Sequence, residues 1–320
     1  MTEPLVLRPG VDCGAVLSAS DRAGILAGAR RIEAAGFDSL WVGDHIAFHF
    51  PILESLTLLG FAAAATERVE LGTSVYLLPL RHPTTTAKVT ASLDVLSGGR
   101  LTLGIGVGGE YPAEFRASGV PVEERGSRSD EAIGILRRLW TEEDVEHRGR
   151  HFDLGPVSIS PRPLQAGGPP ILVGGRRPAA LRRAGRLGDG YLSHMCSAAR
   201  YRQNLDAIRR HAREAGRREI PFRSAAFVFT LLDDVYERAL DRAAGILERM
   251  YRVSFRDAAR RYCLLGRPDD CLEQLQGFVD AGCRSFVLSP LGSHEEFVER
   301  AQAGLLGEIQ GLKPRGGRNP

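Results

Sequence analysis

The stretch Val69–Tyr111 constrains this chain more than any other. It holds two short apolar runs, Val69–Tyr76 and Leu101–Val107, whose Val, Ile, Leu and Thr content suits buried strands. Between them, Thr84–Leu96 is polar at its start and then helical in period, with Val89, Leu93 and Leu96 spaced by four and three. Strand, helix, strand in that order makes the two strands parallel neighbours. Each strand then runs into residues with chemistry: Ser74, Tyr76, Arg81 and His82 after the first, Gly106, Gly108, Gly109 and Glu110 after the second. Parallel α/β proteins build their sites at the carboxyl ends of strands, so these residues are the first candidates.

The unit repeats along the chain. Further strands are expected at Val11–Val16, Ser39–Val42, Ile171–Val173, Gly190–Ser193, Ala225–Leu232 and Ser285–Ser289. Helices are expected at Ser18–Ala35, with caps among Ser18, Ser20 and Asp21 and a stop at Gly36, and at Leu53–Ala65. Tyr111–Arg128 reads as loop, Asp130–Trp140 as a helix capped by Ser127 or Ser129, and Val145–Leu154 as a hairpin. Later helices are Pro178–Arg186, Tyr201–Ala215, Asp234–Tyr251, Pro268–Ala281 and Phe297–Ile309. Eight strands alternating with helices predict a (β/α)8 TIM barrel. It is expected as one domain over 1–312 with an insertion region after strand 4, at about 141–170, and a disordered tail over 313–320.

Composition narrows the function classes. Of the 42 basic residues all but Lys88 and Lys313 are arginine, the net charge is +3, and the arginines do not cluster, so no nucleic-acid partner is expected. The longest apolar run, around Leu56–Ala65, is about half of the ~20 residues a membrane span needs, and MTEPLVLRPG lacks a signal-peptide plan. A cytoplasmic protein with no membrane partner is expected. The five cysteines are odd in number and lack any C-x-x-C pair, so they read as small packing residues.

Several strand ends carry candidate chemistry. Asp44-His45 closes strand two, and a histidine at a barrel mouth can act as acid or base or serve only as a hydrogen-bonded structural residue. Glu110 at the end of strand four faces the same rim, and a carboxylate with an imidazole is the minimal kit for proton movement; Glu114 reads as a cap or salt-bridge partner. Gly104, Gly106 and Gly109 match G-x-G-x-x-G but do not open a helix after a first strand, so they read as places of close backbone approach. Gly174-Gly175-Arg176 before a helix suits an anion, because free backbone N–H groups, the helix N-terminus and a guanidinium converge. Neither H-E-x-x-H nor G-x-S-x-G occurs, so no metal is expected and a hydrolase is disfavoured.

The strings AGFDSLWVGDH (35–45), ELGTSVYLLPLRHP (70–83), LDVLSGGRLTLGIGVGGEYPAEF (93–115), ERGSRSDEAI (124–133) and PPILVGGRRPAALRRAGRLGDGYL (169–192) resemble the luciferase-like monooxygenase superfamily. They look most like its branch of oxidoreductases using the deazaflavin coenzyme F420. The resemblance implies a cofactor ring in the barrel mouth against a bulge at Ser74–Val75, with a cis peptide there and Gly106 and Gly108 nearby. It implies a phosphate end at Gly174, Gly175 and Arg176, and Asp44 and His45 on the ring's reactive side. His45 and Glu110 would be catalytic, acting on a small-molecule substrate, and a homodimer is implied. FMN-dependent relatives share much of the pattern, so an FMN monooxygenase is the alternative; a non-redox barrel enzyme and a cofactor carrier are more distant ones. Sugar-phosphate-oxidising relatives carry a tryptophan shortly after the Asp-His pair, where this chain has His49 between Phe48 and Phe50.

Overall fold

The computed structural model describes residues 3–315. Its centre is a closed barrel of eight parallel strands: β1 (Asp12–Val16), β2 (Ser39–Val42), β3 (Glu70–Thr73), β4 (Leu101–Gly106), β5 (Ile171–Gly174), β6 (Gly190–His194), β7 (Ile220–Leu232) and β8 (Ser285–Pro290). Each pairs with the next, and β8 pairs back onto β1, Ser285 opposite Asp12. Helices lie outside: α1 (Arg22–Ala35), α2 (Ser55–Ala65), α3 (Pro83–Leu96), α4 (Pro112–Ala117), α5 (Arg125–Thr141), α6 (Pro178–Leu187), α7 (Ala198–Glu214), α8 (Tyr236–Tyr251), α9 (Arg256–Tyr262), α10 (Pro268–Asp280), α11 (His294–Gly304) and α12 (Leu306–Gly311).

Strand alternation sets the interior. On β2 the inward residues are Ser39 and Trp41, the indole donating to the Ser39 hydroxyl at 2.8 Å. Trp41 fills the middle of the barrel because its neighbours give way: a Cβ at Gly72 would lie 2.3 Å from its ring, and one at Gly14 2.6 Å from its Nε1. Leu172, Leu192, Ala225 and Val287 complete that layer. At the foot, Arg223 donates to Glu70 at 2.5 Å, to Asp12 at 3.0 Å and to Ser285 at 3.2 Å.

The helices depart from the periodic reading in instructive places. On α3 the inner face is Ala87, Thr90, Ala91 and Leu93, whereas Val89 and Leu96 are 40% and 77% exposed. Small residues were needed where α3 lies close to its neighbours, so the larger apolar residues mislead. The stretch expected as loop after Tyr111 contains α4 and a 3-10 turn at Val122–Glu124, and α5 begins at Arg125. Ser127 and Ser129 therefore lie inside α5 and bond back to Glu124 and Arg125 carbonyls instead of capping it. The hairpin between β4 and β5 pairs Val145–Arg148 with Asp153–Val157. Asp21 caps α1 and Gly36, at φ +92°, ends it as the sequence indicates. The helix expected at Phe297–Ile309 is two, α11 and α12. Lys313 and Arg315, assigned to a disordered tail, lie against α10: Gln276 donates to the Lys313 carbonyl and the Arg315 N–H to Asp280. Residues 316–320 of that tail lie outside the described residues.

Strand β7 outgrows the barrel at both ends. Leu5–Leu7 pairs with its start and Leu264–Gly266 with its end. The extension, with α8 and α9, encloses a second core of Phe229, Leu231, Leu240, Leu247 and Cys263 beside the mouth. All five cysteines are free and buried, as packing residues should be. No helix among the described residues is long and apolar enough to cross a membrane.

Candidate active site

Strand β3 stops at Thr73, and a two-residue strand at Tyr76–Leu77 resumes pairing with β4; the Ser74–Val75 bond between them is cis. The run read as one strand is thus broken at the residues the resemblance singles out. Gly106 and Gly174 face this break, and Val75 occupies the room they leave: a Cβ at Gly106 would come 2.3 Å from its Cγ2, and one at Gly174 2.7 Å from its Cγ1. Those glycines therefore accommodate a side chain. The Ser74 N–H is tied to the Val42 carbonyl at 2.8 Å.

Asp44 lies under the rim and both its oxygens are taken. Arg81 grips it with two bonds of 2.6 and 2.7 Å, the Leu77 N–H donates at 2.8 Å and Ser55 at 3.1 Å. Burial draws Arg81 toward deprotonation, but Asp44 outweighs it and holds the guanidinium above its ordinary value. The Tyr76 ring packs 4.4 Å below that guanidinium. With four donors in place, Asp44 fixes the mouth's geometry and has no oxygen to spare for a ligand.

His45 is set differently. Its Nδ1 lies 3.2 Å from both oxygens of Glu114, which is fully buried on α4 and also accepts from the Ile46 N–H. Phe48 stacks on the imidazole at 4.0 Å between centroids. A carboxylate on Nδ1 makes that nitrogen the donor and leaves Nε2, in the neutral ring, as an acceptor. The salt-bridge role read for Glu114 is thus to orient His45. Glu110, the acid expected beside His45, is exposed, and its charge instead helps raise Tyr251 to about 12, after the larger effect of burial.

The loops after β4 and β5 are built from glycines in left-handed conformations: Gly108 at φ +61°, Gly109 at +114° and Gly175 at +128°. Arg176 is exposed and forms no ion pair among the described residues, and α6 behind it starts at Arg177-Pro178 without a side-chain cap. Beside Gly109, the buried Arg125 Nε has no hydrogen-bond partner among the described residues. The Gly175 N–H is turned to the Leu192 carbonyl at 3.4 Å, so it is the uncapped start of α6 and two guanidinium groups without carboxylates that suit an anionic group.

Sequence reasoning missed the opposite wall. His194 follows Leu192 by two on β6 and so faces inward, touching Phe227 and Phe229 at 5.4 and 5.7 Å. Its ring has no hydrogen-bond partner among the described residues; burial, helped by Arg176, lowers it to about 4, so it is neutral. Strand alternation alone would have found it; the search for metal spacing passed it by.

The luciferase-like monooxygenase family model matches residues 6–305. A protein of Beutenbergia cavernae named F420-dependent glucose-6-phosphate dehydrogenase is 31% identical over 306 residues, 84% of this chain and 88% of its own length. A monooxygenase from Streptomyces bottropensis superposes with a TM-score of 0.81 at 26% identity, over 92% of this chain and 99% of its own. An F420-dependent secondary alcohol dehydrogenase, solved with an F420-acetone adduct, superposes at 0.84 over 94% and 99%, and its 21% identity speaks for the fold alone. A barrel broken after β3, an Asp-His pair closing β2 and a match over nearly the whole length agree, and the chain belongs to the luciferase-like monooxygenase family.

Proposed function

We propose that this protein is a coenzyme F420-dependent oxidoreductase that exchanges a hydride between the deazaflavin and a small organic substrate. The observation that carries the reading is His45, oriented through Nδ1 by a buried carboxylate and leaving Nε2 as its free nitrogen. Relatives named for F420 support it at the sequence level. The residues present fit the cofactor: Gly175, Arg176 and the uncapped α6 would hold its phosphate, and Ser74 and Val75, seated in the room that Gly106 and Gly174 leave, would back its ring with Gly108. Arg125, with its orphaned Nε, fits the anionic side chain of the same molecule. When bound, the deazaflavin supplies a ring carbon that takes or gives a hydride.

The chain's own residues supply the rest. His45 takes the proton from a substrate hydroxyl through Nε2, or returns it to a carbonyl. Glu114 holds the imidazole in that tautomer, and the Asp44–Arg81 pair keeps the loop beneath it fixed. Phe48 shields the ring from water. An FMN monooxygenase is the second reading, favoured by the similarity to the Streptomyces enzyme. Paired titrations of the apo-protein, with F420 and with FMN, test the choice by fluorescence. Micromolar F420 binding with FMN at least tenfold weaker is expected; the reverse order would move the protein to the monooxygenases.

A further inference from the structure

We infer that His194 is a ligand of the phosphate group of the bound cofactor, and that it enters that contact by taking a proton from solvent. This rests on the deazaflavin reading and goes beyond it by assigning a residue of β6 to the anion and by making cofactor binding depend on pH.

Strand register brings the groups together. β5 and β6 pair with Gly174 opposite Leu192, so two residues further on Arg176 comes level with His194. The uncapped start of α6 follows at once, at Arg177-Pro178. An anion held by Arg176 and α6 therefore lies beside the imidazole. The other side of that ring is an aromatic wall. Phe227 and Phe229 meet each other edge to face at 5.2 Å, and Tyr251 lies 6.4 Å from Phe229. These rings offer the imidazole nitrogens no acceptor, and His194 is only half-buried, so a ligand can reach it.

Charge explains why an imidazole stands here. The charged group acting on His194 is Arg176. β7 presents none, and behind it Tyr251 and Cys263 are each pushed up to about 12, chiefly by burial, and stay neutral. On its own strand's loop Cys196 is pushed up to about 11, and Arg200 of α7 acts on that thiol. The Glu110 carboxylate acts on Tyr251. In the free protein, burial and the guanidinium both oppose an imidazolium, and His194 is neutral. A lysine or a second arginine in its place would be a desolvated charge without a partner. A phosphate against Arg176 reverses both effects, because it cancels the repulsion and gives the imidazolium an acceptor. The proton goes to the ring nitrogen that faces the phosphate, and the charge-assisted hydrogen bond is stronger than a neutral one. The bound imidazole thus titrates above the free one. Affinity for F420 should strengthen as pH falls from the bound value toward about 4, and should not vary with pH above the bound value.

The test is calorimetric titration of the full chain with F420 and with its deazaflavin riboside, which lacks the phosphate. Each is measured at pH 5 and pH 7 in buffers of different ionisation enthalpy. F420 should bind about tenfold tighter at pH 5 than at pH 7, within the range that one adjacent opposite charge supplies, with net proton uptake. The riboside should show neither the gain nor the uptake. His194→Gln keeps a hydrogen-bond donor, so it should bind F420 within about threefold of the parent at pH 7 and lose the gain at pH 5. Equal F420 affinity of the parent at both pH values, the same uptake with the riboside, or a gain retained in His194→Gln would each remove His194 from the phosphate and leave the cofactor reading standing. Failure of F420 to bind the parent overturns both.

Discussion

The two ends of the barrel are built from the same residue types to opposite ends. At the foot, Arg223, Asp12, Glu70, Ser285 and Thr102 meet inside the barrel, and every charge has an opposite partner. Outside it, Arg100 gathers the carbonyls of Ser97, Val69, Ala63 and Thr66, tying the ends of α2 and α3 to β3. At the mouth, saturation stops one layer short. Asp44 and Arg81 satisfy each other, but above them His45 keeps a free nitrogen, and His194, Arg176 and the Arg125 Nε lack polar partners among the described residues. The foot spends its polar groups on itself, whereas the mouth leaves them for a ligand, which is where barrels place chemistry.

The foot should therefore fail as a fold when broken. Burial alone would favour loss of the Arg223 proton, yet Glu70 and Asp12 hold it above its ordinary value. Replacing Arg223 with Met leaves both carboxylates near each other without a cation. The expected loss is ~3–5 kcal/mol in urea denaturation, the largest effect of any change considered. Adding Asp12→Asn and Glu70→Gln should recover part of it. A loss below about 1 kcal/mol for Arg223→Met would erase the contrast between the two ends.

Changes at the mouth should cost turnover instead. His45→Ala is expected to lower kcat by ~10²–10⁴, the range for removing a general acid or base, with F420 affinity and thermal stability little changed. Glu114→Gln keeps the shape and a hydrogen-bond acceptor but removes the charge facing Nδ1. It should lower kcat by about tenfold and leave KM unaltered, and Glu114→Ala should be worse. Equal losses in kcat and stability for Glu114→Gln would make the residue structural. Unchanged turnover in His45→Ala would remove His45 from the chemistry.

The eight strands were legible because a parallel strand buried on both faces is a continuous apolar run, and Leu101–Gly106 or Ser285–Pro290 could be little else. Asp44 and His45 were legible as the end of such a run. What the sequence hid depends on distance in space. Glu114 reaches His45 from 69 residues away, on a short helix whose Tyr111-Pro112 start resembles a loop. The aromatic wall was hidden because β7 continues past the barrel to pair with Leu264–Gly266, and no local pattern marks where a barrel strand becomes an extension. Gly106 and Gly174 looked like room for a ligand; only the fold shows Val75 in that space.

The smallest effect tests the foot's outer layer. Glu33, near the end of α1, accepts from the N–H groups of Glu67, Arg68 and Val69 where the chain enters β3. Burial pushes its carboxyl up, but these three donors and the Arg68 charge pull it further down, below the ordinary 4.5. A lowered carboxylate stabilises the fold fully above the unfolded value and loses that contribution as pH falls through the folded one. Stability should thus decline below about pH 4.5 partly through Glu33, and Glu33→Gln should flatten that decline. At pH 7 the same substitution should remove no more than about 1 kcal/mol, since the group is partly screened by solvent. An acid limb as steep in Glu33→Gln as in the parent would show that this turn is held by the buried packing of Val69 and Leu71 alone, and that the foot's saturation ends at the barrel wall.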